Sequence, residues 1–197
     1  MHIAIYNNVV SAQFMPQKNI SQEVTAMAEK DKAVQFFKAG MAEFIDGNYG
    51  NSIETLSRAI ELEPNHKIAL MSRGAGYMKM DRAEDAMADY GRVIELDPDY
   101  PRAYHLRGLA HEKSGDNNAA LHDFNRAIEI DPEYGAAYYS RANLHAKLGD
   151  EILATEDIKT ATTLTEVNIE TFANDNNIWR SQHMKLEEMG VADTFDR

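Results

Sequence analysis

The sequence predicts an all-α array of stacked helix hairpins, and three observations carry that prediction. A pattern recurs every 34 residues, each period holds two helix-length apolar stripes, and small residues alternate in register with large ones. The period is plainest in AYHLRGLAHEKSGDNNAALHDFNRAIEIDP, residues 103–132. Counted from Ala33, the units run 33–66, 67–100, 101–134 and 135–168.

Within each unit a turn separates the two helices, at Asp46-Gly47-Asn48, Met80-Asp81-Arg82, Ser114-Gly115-Asp116 and Leu148-Gly149-Asp150. Pro64, Pro98 and Pro132 then stop the second helix of the first three units, because proline lacks an N–H and restricts the residue before it. Small residues mark where helix axes approach: Gly40, Gly74, Gly108 and Ala142 on the first helices, Ser52, Ala86, Ala120 and Ala154 on the second. Phe36, Leu70, Tyr104 and Tyr138 share one large position and Leu56, Tyr90, Phe124 and Ile158 another, so knobs are expected to face holes at a fixed register.

The flanks read differently. Residues 1–20 form an N-terminal segment with a short alternating stretch, His2-Ile3-Ala4-Ile5-Tyr6, and residues 21–32 a leading helix capped by Ser21 that merges toward the first unit. Residues 169–190 are expected to form a capping helix around Phe172, Trp179, Leu186 and Met189, with Trp179 buried against the fourth unit, and 191–197 a tail. Such a cover shields the apolar face that a last repeat would otherwise expose.

A formal net charge of −12 argues against a nucleic-acid backbone as partner, which requires a positive footprint. With no cysteine, disulfides, thiolate metal sites and cysteine nucleophiles are excluded, and a cytoplasmic location fits. Neither a signal peptide nor a bilayer-spanning stretch is expected, so no membrane insertion.

These repeat positions resemble the tetratricopeptide repeat family, whose units are antiparallel helix pairs with small, aromatic and closing-proline positions spaced in this way. The resemblance covers 33–165 and implies a right-handed superhelical solenoid of four units whose first helices line a concave groove. It departs at the outer units, where Glu43 takes the place of Tyr77, His111 and His145, and Glu166 the place of the closing proline.

Three constellations invite chemistry. Arg73, Arg107 and Arg141 each precede an aspartate by sixteen residues, Asp89, Asp123 and Asp157, and Ala39 with Thr55 replaces both members in the first unit. Joint presence and joint absence point to bidentate pairing inside each hairpin, not to an anion-binding row. Arg58, Arg92 and Arg126 precede Glu61, Glu95 and Glu129 by one helical turn, the pattern of a solvated face. His111 and His145 are too few for zinc, which takes three or four convergent ligands, so they are expected to pack as Tyr77 does. No nucleophile and base, phosphate loop or metal signature is discernible, so no enzyme activity and no cofactor are expected.

The groove implied by the resemblance selects one stripe of each first helix. Phe37, Met41, Ile68, Met71, Met78, Arg102, His105, Leu109, Tyr139 and Asn143 are the expected partner-binding residues, apolar in the first two units and mixed in the last two. Lys79, Lys113 and Lys147 run along one edge, where they would orient an acidic peptide. Chaperone-binding members of the family clamp a peptide's terminal carboxylates with lysine, asparagine and arginine. The corresponding positions here are Phe37, Met41, Ser72, Arg102 and Leu106, which implies that this clamp is absent.

The expected function is a non-enzymatic adaptor or assembly scaffold that binds a protein or peptide in the groove, with apolar anchors supplying the affinity. The alternative is a self-assembling structural protein in which residues 1–20 dock into the groove of the same or a neighbouring copy, giving a homo-oligomer.

Overall fold

The computed structural model describes the backbone of residues 20–175 and the side chains of residues 25–166. Residues 1–19, and Trp179 with the rest of the expected capping segment after Asp175, lie outside the described residues. Among those described there are eight α-helices and no strand, and the chain divides after His66 into two bodies.

The first body contains α1 (Ile20–Ile45) and α2 (Tyr49–Leu62). α1 is a single helix across the expected junction between residues 32 and 33, and Ser21, expected to cap it, lies one residue inside its start. The hairpin turns at Gly47, whose φ of +78° is a left-handed conformation that favours glycine.

The second body stacks three hairpins: α3 (Lys67–Lys79) with α4 (Ala83–Leu96), α5 (Pro101–Ser114) with α6 (Asn117–Ile130), and α7 (Gly135–Leu148) with α8 (Glu151–Asp175). Gly115 and Gly149 close α5 and α7 in the left-handed region, at φ +88° and +89°. At the same register of the second unit stands Asp81, at φ +59°, one of the residue types that tolerates this region.

Helix ends follow from the prolines. α2, α4 and α6 give way to Glu63, Asp97 and Asp131, each in an extended or nearly extended conformation directly before proline. Clash with the ring excludes the helical conformation there. The fourth unit has Glu166 instead, and α8 continues through it to Asp175.

The expected knobs and holes are realised inside the hairpins. A Cβ on Gly40 would lie 2.8 Å from Leu56 Cγ, one on Gly74 2.6 Å from Tyr90 Cε1, and one on Gly108 2.6 Å from Phe124 Cε1. All three knobs are buried. Ser52 adds a hydrogen bond, its hydroxyl donating to the Gly40 carbonyl at 2.8 Å. Ile158, at the fourth knob position, is 39% exposed. Its counterpart Phe124 is enclosed by Ala120 and by Leu144 of the next hairpin.

Each Arg–Asp pair is bidentate. Arg73 donates to Asp89 at 2.9 and 2.6 Å. Arg107 donates to Asp123 at 2.8 Å through both Nε and Nη2. Arg141 donates to Asp157 at 2.8 and 2.7 Å. The carboxylates are buried and the guanidiniums partly so. Each arginine also lies near an aromatic ring, Arg107 over Tyr104 at 5.6 Å and Arg141 over Tyr138 at 5.5 Å.

Candidate peptide-binding face

On α1, Phe37 and Met41 are half-buried. The Phe37 ring lies 4.9 Å from that of His66. Phe44 meets Tyr49 edge-on at 5.2 Å, which leaves Ile45 as the open apolar side chain at this helix end.

In the second body, the sequence-predicted residues separate by burial. Ile68 on α3 is 60% exposed and Tyr139 on α7 is 57% exposed, and Arg102 and Asn143 are open as well. Met78 is half-buried, and Leu109 packs against the cluster of Ala120, Phe124 and Leu144. Met71 and His105 are each only 7% exposed. A buried side chain is not an accessible anchor, so these two belong to the packing behind the face.

His105 shows why. Its Nδ1 lies 3.0 Å from the Tyr134 hydroxyl and its Nε2 2.8 Å from the Ser140 hydroxyl, so the ring joins α5 to the next hairpin. Burial, with a smaller contribution from the nearby Arg102 charge, pushes its pKa down to about 4. A neutral imidazole offers one donor and one acceptor, which suits two hydroxyl partners. Sequence reasoning placed His105 on the stripe but missed this network. The available signal was a histidine at a position that is apolar or aromatic in the other units, Phe37, Met71 and Tyr139.

Two members of the lysine row, Lys113 and Lys147, are tied into the stack. Lys113 pairs with Asp81 at 2.5 Å and donates to the Met78 carbonyl at 3.3 Å, so it bridges two hairpins. Lys147 reaches Glu112 at 3.5 Å, again across a hairpin boundary. Arg102 has no ion pair among the described residues, and its charge acts on His105, Tyr90 and Tyr134. The open part of the face therefore offers Ile68, Arg102, Tyr139 and Asn143: an apolar group, a cation, an aromatic and an amide.

His111 and His145 turn toward different carboxylates, His111 Nε2 lying 3.8 Å from Asp123 and His145 Nδ1 3.5 Å from Asp150. Among the described residues no three His, Asp or Glu side chains converge as a metal site requires. No described helix is long and apolar enough to cross a membrane.

Comparison with known proteins agrees with this architecture. Family models described as tetratricopeptide repeat match residues 36–66 and 101–134, and one described as TPR repeat matches 74–115. The Dictyostelium discoideum protein called STIP1 homolog is 34% identical over 58 residues, a stretch that spans 29% of this chain and only 10% of that relative. Among solved structures, a crystal structure of MamA superposes with a TM-score of 0.65 at 22% identity, covering 75% of this chain and 86% of the other. MamA from residue 41 onward of Desulfovibrio magneticus RS-1 gives 0.64 at 23%, covering 72% and 80%. The first TPR of Spaghetti (RPAP3), bound to the HSP90 peptide SRMEEVD, gives 0.58 at 22%, covering 61% and 95%. At these identities the likeness is one of fold. With three repeat models matching the helix hairpins of both bodies, the chain is a tetratricopeptide repeat protein.

Proposed function

We propose that the chain is a non-enzymatic scaffold that captures a segment of another protein on the first-helix face of its second body. The observation that carries this reading is the open row of Ile68, Arg102, Tyr139 and Asn143 on three successive first helices. A mixed row of this kind suits a peptide with an apolar anchor and an acidic group, the acid opposite Arg102, whose charge is not committed within the described fold. Half-buried Phe37 and Met41 make the first body a candidate for further apolar contacts.

The fold neighbour bound to SRMEEVD supports peptide capture as a use of this architecture. The side chains at the clamp positions differ here, so the preferred ligand is a different sequence. The absence of cysteine fits work in the cytoplasm.

The test is affinity capture from native lysate with the full chain and with the double variant Ile68→Glu/Arg102→Glu. Both sites are exposed, so helicity and melting temperature should stay unchanged while one specific set of captured proteins is lost. An identical captured set with both proteins would remove this face from the function. Isothermal titration with SRMEEVD should show binding at least an order of magnitude weaker than that of the captured partner's segment, because with Arg102 as the one charged residue at the clamp positions the peptide's terminal carboxylates lose about 1.4 kcal/mol or more.

A further inference from the structure

The turn of the first hairpin carries a reactive pair that the other turns lack. Asp46-Gly47 is the one Asp-Gly step in the chain, and no Asn-Gly step occurs. An aspartate stands in each of the other hairpin turns as well, but Asp81 is followed by Arg82, Asp116 by Asn117 and Asp150 by Glu151. Those carboxylates are engaged. Asp81 pairs with Lys113 at 2.5 Å, Asp116 accepts from the Ala119 N–H at 3.0 Å, and Asp150 lies 3.5 Å from His145 Nδ1. Asp46 is exposed, and its carboxylate has no hydrogen-bond or ionic partner among the described residues. The space beside it is open too, since a Cβ on Gly47 would meet nothing within 4 Å.

We infer that Asp46-Gly47 is a site of spontaneous isoaspartate formation, gated by opening of this turn. The Gly47 nitrogen attacks Cγ of the protonated Asp46 carboxyl, and the carboxyl OH leaves with the amide proton as water, giving a succinimide. Glycine leaves that nitrogen unshielded, because it has no side chain to block the approach. One water then opens the ring. Hydrolysis at the former main-chain carbonyl leaves Gly47 linked through the Asp46 β-carboxyl, which is isoaspartate, and hydrolysis at the other carbonyl restores aspartate.

The folded turn holds the nucleophile back. Gly47 N–H donates to the Phe44 carbonyl at 3.1 Å and Asn48 N–H to the Glu43 carbonyl at 2.8 Å, the paired bonds that close a helix on a left-handed residue. Both must break before the nitrogen can turn toward Cγ, so the reaction samples local opening of a helix end. Isoaspartate adds a main-chain carbon before Gly47 with no change in formal charge, and the two bonds cannot both re-form at their former spacing. Below the turn the hairpin is held separately, by Leu56 against Gly40 and by the Ser52 hydroxyl on the Gly40 carbonyl at 2.8 Å. The change therefore stays local, where the Phe44 and Tyr49 rings meet at 5.2 Å.

The test ages the full-length protein at neutral pH and physiological temperature, folded and in urea. Tryptic peptides are then treated with an endoproteinase that cuts before aspartate and not before isoaspartate. Resistant peptide 39–58, unchanged in mass, should accumulate from the folded chain, and on the order of tenfold faster in urea, because the two turn hydrogen bonds no longer have to break. Peptides carrying Asp81, Asp116 and Asp150 should stay cleavable, and Asp46→Glu should form no succinimide while keeping the helicity of the natural chain. In the aged protein, amide exchange at Gly47 and Asn48 should quicken while that of α2 holds. Resistance that arises only in urea would overturn the inference by showing that the closed turn excludes the reaction. Equal rates with and without urea would overturn the gate, and equal resistance at Asp81, Asp116 or Asp150 would overturn the assignment to the Asp-Gly step.

Discussion

His105 Nε2 lies 2.8 Å from the Ser140 hydroxyl, and that contact ties the third hairpin to the fourth through a side chain that is neutral at physiological pH. Burial sets its folded pKa at about 4, against about 6.5 in an unfolded chain. As pH falls through this window the unfolded state takes up the proton first. The stabilisation is therefore complete above about pH 6.5 and is lost as pH drops toward 4. Urea unfolding at pH 7 and at pH 4.5 should show His105→Gln losing less stability over the interval than the natural chain, by about 2 to 3 kcal/mol. Equal losses in the two proteins would mean that the imidazole is not held neutral by the fold.

Glycines on two neighbouring helices should respond to alanine with opposite signs. A Cβ on Gly108 would meet the buried Phe124 ring at 2.6 Å and the Ala120 carbonyl at 3.2 Å, and neither has room to yield. Overpacking of that kind costs about 1 to 3 kcal/mol, more than the roughly 1 kcal/mol alanine gains as a helix former. At Gly91 on α4 the nearest atom is Arg107 Nη1 at 3.9 Å, an ordinary contact. Thermal melts should place Gly108→Ala below the natural chain and Gly91→Ala above it.

The Arg107–Asp123 pair should show the asymmetry of buried ions. Arg107→Met alone strands a carboxylate that is 1% exposed, which costs about 3 to 5 kcal/mol. Arg107→Met combined with Asp123→Leu removes both charges and should recover most of that loss. The first unit already lacks both partners, with Ala39 and Thr55 at these positions. A double-mutant cycle by urea unfolding checks this, and additive losses would show that the two groups are not coupled.

The same comparison of units explains what was legible in the sequence. Gly108 against Phe124 and Arg107 with Asp123 are contacts within one hairpin, and they recur because every hairpin must solve the same packing problem. Their partners stand at constant separations and can be read from one chain. Burial on the first-helix stripe depends instead on the neighbouring hairpin. His105 and Tyr139 share a register, yet one is enclosed by Tyr134 and Ser140 while the other stands open at the end of the described stack. Lys113 and Lys147 likewise look free along the sequence, and their carboxylate partners, Asp81 and Glu112, belong to preceding hairpins. Periodicity identifies a face; it does not say which members of that face remain accessible.

Ile68 and Met71 make that distinction measurable on a single helix. Both stand on the α3 stripe, but Ile68 is 60% exposed and Met71 only 7%. A glutamate at position 71 would carry an unpaired carboxylate into packed surroundings, a change that costs several kcal/mol or forces local unfolding. At position 68 the carboxylate stays in water, and exposed substitutions shift stability by only about 0.5 kcal/mol. Circular dichroism melts should therefore find Met71→Glu strongly destabilised and Ile68→Glu close to the natural chain. Partner capture should fall in both, through loss of the fold in the first and loss of the contact in the second. If Met71→Glu melts like the natural protein, position 71 opens onto the face after all, and the binding row extends further along α3 than Ile68.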